Sequence, residues 1–408
     1  MHTMSRVRKS LPCGSHKGDK LMNDVIIIGA GPAGTACAKK LAEEGFSVKV
    51  FDKRAEIGAP KRCGEGISEA SQEFVGRIPD KCIAQKIKGA RLYAPDGRYL
   101  DAILSSGGLV LERKVFDKWL AEEAVRAGAT IQAGTFISDL TKDARGYFTG
   151  VKGEFLGNDF EEKAKVVVCA TGAESPLRNR ALGVFSKVNL IDSCIQYEMT
   201  NIDVVPDLIH IYLSSVIAPR GYAWVFPKGN HRANVGLGII PQEKKPYTYM
   251  NEFLQMHPEI NKGSILEVNA GCVPVGGLVK DMVGNGFVLC GEAANHVNPI
   301  HGGGIKEAVI SGQKAADTII ECIKKNDVSK KALSSFNDIW WKERGNHLRR
   351  VEKLRETLEK LSDSDLNDLI DALKPEDIIE FARGAKLSVL AKVLMRKPRL
   401  VSIARHLL

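Results

Sequence analysis

No stretch of this 408-residue sequence stays apolar for the roughly 20 residues that cross a bilayer. The longest apolar runs, 25 to 31 (VIIIGAG) and 165 to 173 (KVVVCATGA), fall well short, so any membrane contact is expected to be peripheral. The nine cysteines include no CxxC pair, which argues against both a zinc site and a disulfide framework. No metal is expected, and a reducing cytoplasm is the simplest setting. Acidic residues fall short of basic ones, giving a net charge of +9. Much of that excess lies in 1 to 21, where Arg6, Arg8, Lys9, Lys17 and Lys20 face only Asp19. The rest is mildly basic, and no nucleic-acid partner is expected. This leader lacks the apolar core of a signal peptide, and Met22 stands directly before the first strand, so 1 to 22 reads as a disordered basic leader. With 44% hydrophobic and 26% charged residues, the remainder should fold as two or three packed units.

From residue 23 the pattern is legible. A buried strand over 24 to 29, a helix over 32 to 45 and a second strand over 47 to 52 make one βαβ unit. Its turn reads Gly29-x-Gly31-x-x-Gly34. The first glycine permits the tight turn, the second lets a pyrophosphate approach the backbone, and the third lets helix and strand pack closely. The helix N-terminus offers free N–H groups to phosphates. Asp52 closes the second strand, where an acid can hold a ribose hydroxyl.

That motif alone does not separate NAD from FAD. Two further segments do: a strand over 165 to 172 that ends in Ala170-Thr171-Gly172, and the run 284 to 304. The run gives a strand, then Gly291-Glu292, then the glycines 302 to 304 opening a long helix over 303 to 324. Such a loop suits the pyrophosphate and the isoalloxazine carbonyl of a flavin.

Together these elements resemble the FAD-binding parts of flavoproteins of the p-hydroxybenzoate hydroxylase type. Three more strings narrow the resemblance to the geranylgeranyl reductase family: PKRCGEG (60 to 66), RKVFDKWL (113 to 120) and YAWVFPK (222 to 228). The match covers about 23 to 325 and is most similar to archaeal enzymes that saturate unsaturated isoprenoid glycerophospholipids. The resemblance implies an α/β fold in which an antiparallel-sheet substrate domain is inserted into a Rossmann-like FAD domain, followed by a C-terminal helical region. The expected boundaries are 23–80, 108–185 and 270–325 for the FAD domain, 81–107 and 186–269 for the substrate domain, and 326–408 for the helical region. The resemblance also implies flavin contacts at Gly29, Gly31, Ala33, Gly34, Asp52, Lys53, Arg62, Cys63, Gly64, Arg113, Ala170, Gly172, Glu292, Gly302, Gly303, Gly304 and Ile305. Two positions depart from the usual pattern. Asp52 stands where many FAD proteins carry Glu, and Glu292 stands where the family has Asp.

Within PKRCGEG, Gly64 and Gly66 allow an unusual backbone beside a flat ligand, while Arg62, Cys63 and Glu65 gather a cation, a thiol and an acid. Cys63 is either a small buried hydrophobe or, with Glu65, a candidate catalytic group and proton donor. Arg113 opens a helix over 113 to 127 whose Phe116, Leu120 and Ala124 face inward. Segments 89 to 111 and 186 to 240 alternate apolar and polar residues, the pattern of antiparallel sheet with one covered face. Tyr222, Trp224 and Phe226 therefore point to one side, as core or as the lining for a long apolar substrate. Lys228 and Arg220 bracket that strand, as phosphate or flavin contacts or as surface charge.

The segment 326 to 408 reads as helical, with Trp340 and Trp341 and with caps at Ser362 or Asp363 and at Pro375. After Glu380 there is no acid, and 383 to 408 is basic and amphipathic. It suits either an anionic membrane surface or docking within the fold. No second GxGxxG occurs, so there is no separate nicotinamide domain. Reduced ferredoxin is the expected electron donor, with NADPH or a deazaflavin as alternatives. Three function classes follow: a flavin-dependent reductase of isoprenoid C=C bonds, an aromatic hydroxylase, and a non-enzymatic prenyl-lipid carrier.

Overall fold

Short hydrophobic strands stack in parallel where their faces are covered: helix Pro32–Glu43 packs on them, and so does an antiparallel ribbon whose Phe148 rests on Phe287 with ring centroids 4.8 Å apart. In this computed structural model, which describes residues 22 to 378 apart from 242 together with 393, 395 and 396, Asn23–Ile28 lies between Val48–Phe51 and Asn158–Cys169. Phe287–Leu289 extends the sheet on one side and Thr130–Gln132 on the other, all in parallel. Val283–Gly284, antiparallel to Phe287–Leu289, and an antiparallel ribbon, Thr135–Lys142 with Phe148–Phe155, complete its eight strands among the described residues. The expected leader, apart from Met22, lies outside the described residues. So does the basic end 383 to 408, apart from Val393, Met395 and Arg396.

Two glycines set how tightly the helices pack. A Cβ on Gly34 would come 1.9 Å from the Gly29 carbonyl oxygen, and one on Gly312 would come 2.1 Å from that of Ala33. Only the bare backbone lets Pro32–Glu43 lie against both its strand and the helix Ile305–Lys324.

The second sheet also has eight strands. Its order runs Ser264–Pro274, Ile191–Thr200, Ala233–Ile239, Tyr222–Pro227, Leu208–Tyr212, Ile83–Tyr93, Tyr99–Leu111 and Gly66–Ser68. It is antiparallel except where Leu208–Tyr212 runs parallel to Ile83–Tyr93. The sheet reaches past the boundaries expected for it, taking in Gly66–Ser68 and 108–111 and continuing to Pro274. Helix Pro246–Met256 covers one face with Tyr249, Met250 and Phe253.

C-terminal helices close the structure. Trp340, fully buried, stacks on His296 with ring centroids 3.7 Å apart. Ser362 caps Asp363–Ala372 through a capping box with Asp365, as its sequence position suggests. Pro375 stands at the start of a further helical turn. Among the described residues no helix is long and apolar enough to cross a membrane.

Candidate functional site

A cleft of about 390 Å³ runs between the two sheets. On its first-sheet side, Gly29 adopts φ +107°, and a Cβ there would come 2.4 Å from the Ala170 carbonyl. A Cβ on Gly31 would meet nothing, because that face of the turn opens onto the cleft. The helices Pro32–Glu43 and Ile305–Lys324 begin here at Gly31 and Gly304, and neither start is capped by a side chain. Two helix ends with free N–H groups and positive dipole ends therefore converge on one space, which fits a doubly anionic pyrophosphate.

Of the remaining residues expected to contact the cofactor, Ala33, Lys53, Ala170, Gly172, Gly302, Gly303 and Ile305 border the same space, but Gly34 does not, because it is buried against the Gly29 carbonyl. Asp52 spends both oxygens on backbone, accepting from the N–H of Ala30 and of Arg54 at 2.8 Å each. It thereby shapes the turn as well as facing the cleft. Burial pushes the Glu292 carboxyl above its usual range, with the Ala173 backbone opposing. Arg62 turns outward to an ion pair with Glu174.

The loop bearing Cys63 is held from the second sheet. Gln196 donates to the Cys63 carbonyl (3.0 Å) and accepts from the Trp224 indole (2.9 Å), and Asn234 donates to the Gly64 carbonyl (3.2 Å). Gly64 and Gly66 lie flat on Phe226, since a Cβ on either would come 2.9 or 3.0 Å from its ring. Arg113 forms a two-pronged pair with Asp117 (2.8 and 2.9 Å). Burial works against its charge, but Asp117 and the Cys63 sulfur outweigh that and hold the guanidinium above its usual pKa.

Glu65 is placed differently from the expectation of a proton donor. It sits at φ +73° with no exposed surface, and it accepts from the Arg113 backbone N–H (2.7 Å), Lys228 (2.6 Å) and Asn234 (2.7 Å). Burial alone would raise its pKa, but Lys228 and Lys61 more than offset this and lower it. An ionised carboxylate with every direction occupied anchors the loop and has no proton to give. Lys228, one of two cations expected at a phosphate, the flavin or the surface, is instead buried among Glu65, Glu112 and Glu198. Arg220 pairs with Glu359.

Tyr222, Trp224 and Phe226 all border the cleft, with neighbouring centroids 5.7 and 6.2 Å apart. The Tyr222 hydroxyl donates to the His301 carbonyl (2.7 Å), tying the wall to the glycine-rich loop. His301 faces the cleft, and the surrounding protein lowers its pKa to about 4, so the ring is neutral. Sequence reasoning missed His301, Asp192, Cys194, Asn234 and the pairing of Lys228 with Glu65. The available signal was the alternation in IDSCIQYEM, which sets Asp192, Cys194, Gln196 and Glu198 on one face of Ile191–Thr200.

The chain matches two family models: the geranylgeranyl reductase catalytic domain over 191–273, and pyridine nucleotide-disulphide oxidoreductase over 23–208. It is 38% identical to digeranylgeranylglycerophospholipid reductase 2 of Methanopyrus kandleri, covering 94% of this chain and 99% of that one. Among solved structures, a geranylgeranyl bacteriochlorophyll reductase-like protein from Thermoplasma acidophilum superposes with a TM-score of 0.86 at 33% identity, covering 95% and 99% of the two chains. A flavin-dependent brominase shares the fold alone, with a TM-score of 0.68 at 17% identity over 94% and 100%. The architecture is therefore the α/β flavoprotein fold of the p-hydroxybenzoate hydroxylase type, and the chain belongs to the geranylgeranyl reductase family.

Proposed function

We propose that this protein is an FAD-dependent reductase that saturates isoprenoid C=C bonds of geranylgeranylated glycerophospholipids. One observation carries the reading: a single cleft leads from two uncapped helix ends, past Cys63, to an aromatic wall. FAD is the cofactor, and when bound and reduced it supplies a hydride.

The protein's own part is binding, orientation and exclusion of water. Gly31 and the start of the helix after Gly304 would offer backbone N–H groups to a pyrophosphate, whereas the N–H groups of Gly302 and Gly303 are spent on the Asn298 carbonyl and the His301 ring; Asp52 and Glu292 would face ribose and ribityl hydroxyls. Trp224 and Phe226 offer flat apolar surface to a C20 chain, and the charged Arg113 stands beside the Cys63 sulfur where that chain passes. The absence of a second dinucleotide motif and the mildly basic body support reduced ferredoxin as the electron donor. The basic end after Glu380 supports reversible docking on an anionic membrane, from which such a lipid must be collected.

Anaerobic incubation of the purified protein with digeranylgeranylglyceryl phosphate and dithionite tests this reading. Mass spectrometry should show gains of two hydrogens per reduced bond. An unchanged lipid beside fully reduced flavin would refute it.

A further inference from the structure

Among the described residues, six carboxyl groups border the cleft. Asp52 is held by backbone N–H groups, Glu65 by Lys228, Asp117 by Arg113 and Glu174 by Arg62, while Glu292 has the Ala173 backbone. Asp192 stands apart, because its Oδ1 is enclosed in protein and makes no hydrogen bond among the described residues.

Strand pairing fixes where Asp192 lies. Cys194, Gly238 and Tyr222 form one cross-strand row, and Asp192 is the next residue on the same face of its strand. The Tyr222 hydroxyl reaches His301 in the cofactor loop. Val273, the strand partner of Asp192, would stand 3.7 Å from a Cβ placed on the neighbouring Gly302. The carboxyl thus faces the cleft at the end where the second sheet meets the glycine-rich loop.

From this placement, and resting on the reductase reading above, we infer that Asp192 is the acid that protonates the substrate alkene. An isolated C=C bond is a poor hydride acceptor, so a proton must arrive as the hydride does. The π pair forms the new C–H bond at the carbon facing Asp192 while the carboxyl O–H bond breaks. The other carbon takes the hydride supplied by the reduced cofactor, and solvent reprotonates the carboxylate. Net, one alkene, one hydride and one proton give the saturated bond.

The surroundings suit this duty. Burial raises the Asp192 pKa to about 7, opposed by Arg355 and Arg220 and assisted by Glu359. The carboxyl is therefore substantially protonated near neutrality. After donation the new anion faces Arg355, whose Nε and Nη2 also lack partners among the described residues. Around it, burial holds the Cys194 and Tyr222 protons more tightly than usual, Cys272 is exposed, and His301 is neutral.

Asp192→Asn should keep full flavin content and lower single-turnover reduction of digeranylgeranylglyceryl phosphate by roughly 10²-fold or more. Asp192→Glu should recover part of the rate. Wild-type turnover should fall as pH rises through about 7, and the asparagine variant should lose that limb. An independent readout needs no lipid: infrared difference spectra of the flavin-loaded protein from about pH 5 to about pH 9 should show a protonated carboxyl that titrates near neutrality and is missing in Asp192→Asn. If wild type leaves the lipid unchanged, the substrate reading fails and the infrared titration alone decides the acid. Wild-type-like turnover in Asp192→Asn, or a carboxyl already ionised at pH about 5, would overturn the role. If Asp192→Asn does not fold, the same measurements on Asp192→Ser decide.

Discussion

The Glu65 carboxylate lies 2.6 Å from the Lys228 ammonium, and neither side chain has any exposed surface. Glu65 also accepts from the first N–H of the helix that carries Arg113, so this one pair joins the cysteine loop, that helix and the second sheet. Removing one partner strands a buried charge, and Lys228→Met is expected to cost about 3–5 kcal/mol. Urea unfolding measures this, and an unchanged midpoint would rule it out.

The sign of the pH dependence follows from the same pair. Glu65 sits below the ordinary 4.5, so its contribution is present above that value and lost as pH falls through the folded value. Burial lowers Lys228, but Glu65 and Glu112 hold it above the ordinary 10.5, so its contribution is lost only as pH rises through that higher value. The stability gap between wild type and Lys228→Met should be widest between these limits and narrow in strong acid. A gap independent of pH would contradict the assignment.

Two glycines of one motif should fail in different ways. Gly31→Val adds atoms only toward the cleft, so the apoprotein should fold with a normal circular-dichroism spectrum yet purify without flavin. Gly34→Val drives its Cβ into the Gly29 carbonyl and should yield no folded protein. Recovery of yellow protein from Gly31→Val would remove the pyrophosphate from this turn.

Cys63 is held on both sides, by Gln196 at its carbonyl and by the Glu65 N–H at its sulfur (3.2 Å). Cys63→Ala should retain the flavin spectrum and reduce turnover by about 10²-fold, as expected when a group that positions the reacting chain is lost. Serine should restore little. Unchanged turnover in the alanine variant would leave the thiol a packing role only.

Of the basic residues near the C-terminus, Arg396 is already engaged, donating to Asp377 (2.5 Å) and to the Ala372 carbonyl (2.7 Å). Lys392→Glu with Arg399→Glu is therefore the cleaner test of membrane docking. Each charge near an anionic surface is worth about 1 kcal/mol, so the double change should weaken salt-sensitive liposome binding by roughly tenfold or more. A detergent-dispersed short-chain analogue should be reduced as before. Equal liposome affinity would refute the docking role.

The glycine turn, the helix starts and the aromatic alternation at 222 to 226 were legible in the sequence because each depends on neighbours within a few residues. The role of Glu65 was not, because Lys228 and Asn234 come from 163 and 169 positions away. In the sequence, an acid beside a cysteine and an arginine looks like a reactive group, and its distant cations are invisible. Asp192 was hidden for a related reason. The period-two pattern announces a strand, but only the cross-strand registers with Gly238 and Val273 show which face turns to the cleft.

The close packing of Pro32–Glu43 against Ile305–Lys324 has a consequence for biosynthesis. Lys324 pairs with Glu44 across 280 positions, and Phe287–Leu289 supplies a strand beside Asn158–Cys169. When the first βαβ unit leaves the ribosome, the surfaces that cover it have yet to be translated. Such long-range closure is slow. The nascent N-terminal half must wait with its apolar face open, so chaperone demand should peak before residue 324 emerges and drop once that helix docks.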